Sequence, residues 1–118
     1  QALTSPKSIA LLAETGPPRM PERTAAYMTL GVTKALDLLG RNKNGFFLMI
    51  EGSRIDHAGH HNDPAAQVHE VLAYDRAFNS VLDFIKNEKT ETVMVSTSDH
   101  ETGGLATARR TYPVPLSH

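Results

Sequence analysis

The chain contains no cysteine and no tryptophan. Without thiols, disulfides and thiolate-held metals are excluded, and any ion bound here must sit on His, Asp and Glu. No charge surplus exists: 12 Lys and Arg stand against 13 Asp and Glu, a net charge of −1. A phosphate-tracking nucleic-acid surface needs an excess of basic residues, so nucleic acid is not an expected partner. Apolar runs are short. Phe46 to Ile50 falls far short of the roughly 20 residues of a membrane span. Neither end carries an apolar signal segment or an evident stop signal, so the 118 residues read as a piece of something longer.

Forty per cent of the residues are hydrophobic and 21% charged, which suits one globular unit rather than a disordered tract. Residues 1–23 hold Gly16-Pro17-Pro18 and Met20-Pro21 and read as a turn-rich lead-in. Met28, Val32, Ala35, Leu36 and Leu39 recur at helical spacing, and Gly40 stands where a C-cap is expected. After the polar turn Arg41 to Gly45, the apolar run Phe46 to Ile50 predicts a strand buried on both faces. Ser53 to Asp63 reads as a polar loop. Asp63-Pro64 predicts a helix start, with Asp63 as N-cap. Val68, Val71, Leu72, Phe78, Leu82 and Ile85 supply its expected buried stripe, to about Asn87. Asp75 falls on that stripe and reads as a buried, hydrogen-bonded carboxylate. Thr92 to Thr97 predicts a second, β-branched strand. The tail, 109–118, reads as irregular.

Helix, strand, helix, strand implies a βαβ unit with parallel strands and a right-handed crossover. Two strands do not make a stable sheet alone, so further strands are expected from elsewhere. The carboxyl ends of both strands carry acids and imidazoles: Glu51, Asp56, His57 and His60 after the first, Asp99 and His100 after the second. In open α/β sheets ligands gather at that end. Clustered negative groups repel unless a cation lies between them, and a sulfur-free O/N donor set suits zinc or magnesium. Each piece alone has a plainer reading. Asp56 and His60 can be solvated loop side chains, Asp99-His100 a turn cap, and Glu51 a surface carboxylate. His61 and His69 have no support beyond proximity.

The stretch Gly45-Phe46-Phe47-Leu48-Met49-Ile50-Glu51-Gly52-Ser53-Arg54-Ile55-Asp56-His57-Ala58-Gly59-His60, followed by Asn62-Asp63-Pro64, resembles the metal-binding signature of alkaline phosphatases. Ser98-Asp99-His100-Glu101-Thr102-Gly103-Gly104 is similar to that family's second metal motif. The wording is closest to fungal vacuolar and some bacterial members, and the resemblance covers residues 24–108. It implies an incomplete α/β fold, a βαβ segment of a mostly parallel sheet with helices on both faces. It also implies phosphomonoester hydrolysis through a phosphoserine, with two zinc ions and one magnesium ion. By the family pattern, Asp56 and His60 would serve the first zinc, Asp99 and His100 the second, and Glu51 the magnesium. His57 would tune the phosphate region.

No Asp-Ser pair exists here, so the nucleophilic serine, the phosphate-clamping arginine and the last zinc histidine are expected outside this segment. The chain alone is expected to be inactive. Arg54 has no support as the clamp and stays a loop cation. The family also implies a homodimer and a vacuolar, periplasmic or extracellular location for the whole enzyme. Two alternatives remain open: another hydrolase or phosphomutase of the same superfamily, or a truncated chain that only binds metal.

Overall fold

The computed structural model describes residues 16–18, 26–87 and 91–106. Its regular elements are three helices: α1 (Ala26–Leu39), α2 (Ser53–His60) and α3 (Pro64–Asn87). The lead-in before residue 16 and the tail after residue 106 lie outside the described residues, as do residues 19–25 and 88–90.

Helix α1 forms where the apolar spacing predicts it, burying Val32 and Leu36. It stops at Gly40, whose N–H bonds the Leu36 carbonyl at 2.8 Å. The glycine is needed there for space rather than for a left-handed backbone. A Cβ on Gly40 would meet the Phe84 ring at 2.9 Å. Helix α3 begins as the Asp63-Pro64 signal predicts: Asp63 Oδ1 accepts the Ala66 N–H at 2.9 Å, satisfying one of the first-turn donors. This long helix is the backbone of the unit and packs against both α1 and α2.

The buried stripe of α3 is rotated from the expected one. Ala66, Glu70, Ala73 and Ala77 are buried, whereas Val68, Val71 and Leu72 remain 42–46% exposed. The inward positions recur at intervals of four, three and four residues, as a helix face requires. The three alanines among them let α1 and α2 approach closely. Asp75 is accordingly not a buried acid. It is exposed and accepts from Asn79 Nδ2 at 3.2 Å, one turn along the helix.

The expected α/β sheet is not present among the described residues. Neither predicted strand forms a hydrogen-bonded ladder, and the regular elements of the described residues are helices. Segment 45–52 uses its side chains differently from a strand buried on both faces. Leu48 and Ile50 pack on the cluster of Val32, Leu36 and Ala77, and Phe46 meets Phe84 edge to face at 6.1 Å. Phe47 and Met49 point away and are 88% and 77% exposed. Segment 91–98 leaves Val93 and Val95 more than four-fifths exposed. Its described tie to α3 is Tyr74 Oη, 3.4 Å from Ser96 Oγ. Helix faces thus take up the apolar side chains on one side, while the backbones of the two segments find no partner in each other. A ladder needs such a partner, and two short strands are marginal even when paired.

The Ser53 to Asp63 stretch is also more ordered than a loop. Most of it is α2, and this change in local structure sets the geometry of the site.

Candidate functional site

Helix α2 starts at Gly52, which offers no side-chain cap; its carbonyl accepts the Ile55 N–H at 3.0 Å. Asp56 lies in the first turn, with His57 and His60 in the last. Both placements complement the helix dipole, negative charge near the N-terminus and imidazole near the C-terminus. The helix ends through Asn62, which takes a left-handed backbone with φ 51°. Asp63 N–H then returns to the Ala58 carbonyl at 3.0 Å. Asparagine tolerates that conformation better than most residues.

Because α2 is a helix, Asp56 and His60 are one turn apart and share a face. Asp56 Oδ2 lies 3.4 Å from His60 Nε2. The second motif is brought against this helix by two glycines. A Cβ on Gly59 would stand 2.6 Å from the Thr102 carbonyl oxygen, and one on Gly103 would collide with the Gly59 carbonyl oxygen. Gly103 also holds φ at 80°, a conformation that favours glycine.

Across this contact Thr102 Oγ1 donates to Asp56 Oδ1 at 2.7 Å. The same hydroxyl oxygen lies 3.2 Å from His100 Nδ1, which also bonds the Glu101 carbonyl at 2.9 Å. With Nδ1 donating to that carbonyl, the other ring nitrogen keeps its lone pair. His100 Nε2 lies 3.4 Å from Asp99 Oδ2. The loop is held by the Ser98 hydroxyl donating to the His100 carbonyl at 2.9 Å, and by Gly104 N–H donating to Glu101 Oε2 at 2.8 Å.

A continuous chain of polar contacts therefore runs His60, Asp56, Thr102, His100, Asp99. Four of the five residues expected to ligate metal belong to it. Glu51 is exposed and stands outside it, and so does the exposed His57. Among the described residues no group of three or more His, Asp or Glu side chains is arranged to hold one ion. The four residues come as two carboxylate–imidazole pairs.

The electrostatics follow from these contacts. The Thr102 hydroxyl bond, aided by the charges of His60 and His100, holds the Asp56 carboxyl below its ordinary 3.8. The Glu101 carbonyl, followed by the Asp99 charge, raises His100 above its ordinary 6.5. Thr102 is the member of this polar chain that sequence reasoning missed. Its signal was present as a hydroxyl two residues beyond a His in a Gly-Gly turn, but its partner lies 46 residues away.

The alkaline phosphatase family profile matches residues 19–116. The chain is 63% identical over 83 residues to the repressible alkaline phosphatase of Saccharomyces cerevisiae, covering 70% of this chain and 15% of that protein. It is 40% identical over 98 residues to alkaline phosphatase 3 of Bacillus subtilis, 81% of this chain and 21% of that one. With the alkaline phosphatase of Escherichia coli it shares 38% over 82 residues, 68% of this chain and 17% of that one. The chain thus spans about one fifth or less of the length of these relatives. No solved structure matches it. Matched over most of its length, and carrying both acid–imidazole motifs against one another, the chain belongs to the alkaline phosphatase family.

Proposed function

We propose that this chain supplies two zinc-binding donor pairs, Asp56 with His60 and Asp99 with His100, to an enzyme that hydrolyses phosphomonoesters through a phosphoserine. The observation that carries the reading is the paired geometry. In each pair the carboxylate oxygen and the imidazole nitrogen are 3.4 Å apart. Two donors at about 2.0–2.1 Å from a tetrahedral zinc are themselves about 3.3 Å apart. The donor chemistry fits as well, since oxygen and imidazole nitrogen are the ligands of hydrolytic zinc sites.

The surrounding residues favour this role. A metal-binding imidazole ordinarily donates its other N–H to a carbonyl or carboxylate, which fixes the tautomer. His100 Nδ1 has the Glu101 carbonyl for that purpose. Thr102 engages Asp56 Oδ1 and leaves Oδ2 on the His60 side. Zinc, when bound, supplies Lewis-acid stabilisation of charge on phosphoryl oxygens. The chain's own residues orient the donors and hold the Asp56 carboxylate deprotonated. Glu51 is assigned to magnesium on its position in the first motif alone.

Covalent catalysis needs a positioned nucleophile. None of Ser5, Ser8, Ser53, Ser80, Ser96, Ser98 or Ser117 follows an aspartate. By the family resemblance the nucleophilic serine follows an aspartate, so it is expected outside this segment. The test is nitrophenyl phosphate turnover by the full-length protein, metal-stripped and then reconstituted with zinc and magnesium, with trapping of the phosphorylated residue. Zinc-dependent turnover and a trapped phosphoserine support the reading. Full turnover without metal, or phosphate trapped on another residue type, contradicts it.

A further inference from the structure

We propose that Arg54 and His61, with His57 at the rim, bind a small tetrahedral oxyanion such as phosphate on the side of α2 turned away from Asp56 and His60. A cavity of about 360 Å³ lies there, lined by Pro18, Arg54, His57, His61 and Asp63 among others. At about 100° per residue, Arg54 and His61 sit roughly 140–160° around the helix from Asp56, whereas His60 sits only about 40° away. The pocket and the paired donors therefore use different faces of one short helix, and the inference does not rest on the metal reading.

The guanidinium is the anchor. Arg54 is half-buried, and among the described residues no carboxylate forms an ion pair with it. It packs close to the backbone at Gly16, where an added Cβ would stand 3.3 Å from Nη2. A partly buried cation without an ion-pair partner among the described residues is costly, and its planar fork matches two oxygens of an oxyanion. Each imidazole adds at least one N–H donor. The acid in the pocket, Asp63, has Oδ1 occupied by the Ala66 N–H at the start of α3. The positive end of that 24-residue helix partly offsets its charge. A metal cation is disfavoured in the same cavity, because arginine keeps its charge and repels it.

The experiment is an NMR titration of the full-length protein, selectively labelled at arginine and histidine, with inorganic phosphate, in EDTA and at constant ionic strength. Resonances of the Arg54 Nε–H and the His61 ring are followed. The expected result is saturable shifts centred on those groups, with affinity reduced at least tenfold in Arg54→Gln and partly retained in Arg54→Lys. His61→Gln provides a second variant, expected to weaken binding several-fold, and far-UV circular dichroism checks that each variant keeps its helices. Linear, unsaturable shifts overturn the proposal. So do shifts centred on Asp56 and His60, or undiminished affinity in folded Arg54→Gln or His61→Gln. Zinc binding by Asp56 and His60 is excluded by the chelator, so failure here leaves the metal reading to its own test.

Discussion

Thr102 and Asp56 are 46 residues apart in sequence, yet the threonine hydroxyl donates to the aspartate at 2.7 Å. This bond joins the two motifs, since the same oxygen also reaches His100 Nδ1 at 3.2 Å. Thr102→Val keeps the shape and removes the donor. Supporting residues of this kind typically change metal affinity 10–100-fold. Competition with a chromophoric chelator is expected to show zinc affinity falling about tenfold or more in Thr102→Val and returning in Thr102→Ser. Equal affinity in all three proteins would mean that Thr102 does not orient the site.

The two glycines at this contact are expected to be intolerant. Gly59→Ala places a methyl against the Thr102 carbonyl at 2.6 Å, so the second motif must retreat from α2. Gly103→Ala adds a collision with the Gly59 carbonyl oxygen to a backbone with φ at 80°. Residues held in such conformations without glycine cost about 1–3 kcal/mol. Thermal unfolding of Gly103→Ala should show the larger loss. Gly104→Ala is the control, because its φ is 71° but nothing lies within 4 Å of an added Cβ. If Gly104→Ala destabilises as much as Gly103→Ala, the close approach is not what matters.

Stability of the metal-free protein is expected to fall on both flanks of a plateau. The folded-state pKa of Asp56 is depressed below 3.8. Its stabilising contribution is therefore present above pH 3.8 and lost as pH falls through the folded value. The folded-state pKa of His100 is raised above 6.5. Its contribution is complete below pH 6.5 and lost as pH rises through the folded value. Denaturant midpoints against pH should show the acid flank diminished in Thr102→Val and the alkaline flank absent in His100→Gln. An unchanged profile in both variants would refute these assignments.

Part of this arrangement was legible from residue order. Asp63-Pro64 marks the start of α3, and the spacing from Met28 to Leu39 marks α1, because caps and apolar periodicity act locally. Helix α2 was not legible. Its eight residues carry only Ile55 and Ala58 as clear apolar positions, too few to display a period. The face of α3 was misread because it is lined by alanines, while the bulkier Val68, Val71 and Leu72 stay partly exposed. The sheet was inferred from composition in Phe46–Ile50 and Thr92–Thr97. Apolar β-branched segments indicate extended backbone, but pairing depends on partners that no local pattern reveals. In the site, Asp56 and His60 were singled out through the resemblance of their motif rather than by spacing, and their relation to His100 was not legible, because Thr102 makes it through tertiary contact.

The most direct test of the central claim is zinc titration of the chain, compared with Asp56→Ala, His60→Ala, Asp99→Ala, His100→Ala and the control Asp75→Ala. The account predicts saturable zinc binding that weakens at least tenfold in each of the four site variants and is unchanged in Asp75→Ala, where the carboxylate is exposed and pairs with Asn79. Zinc affinity that survives all four substitutions, or that falls as far in Asp75→Ala, would contradict it.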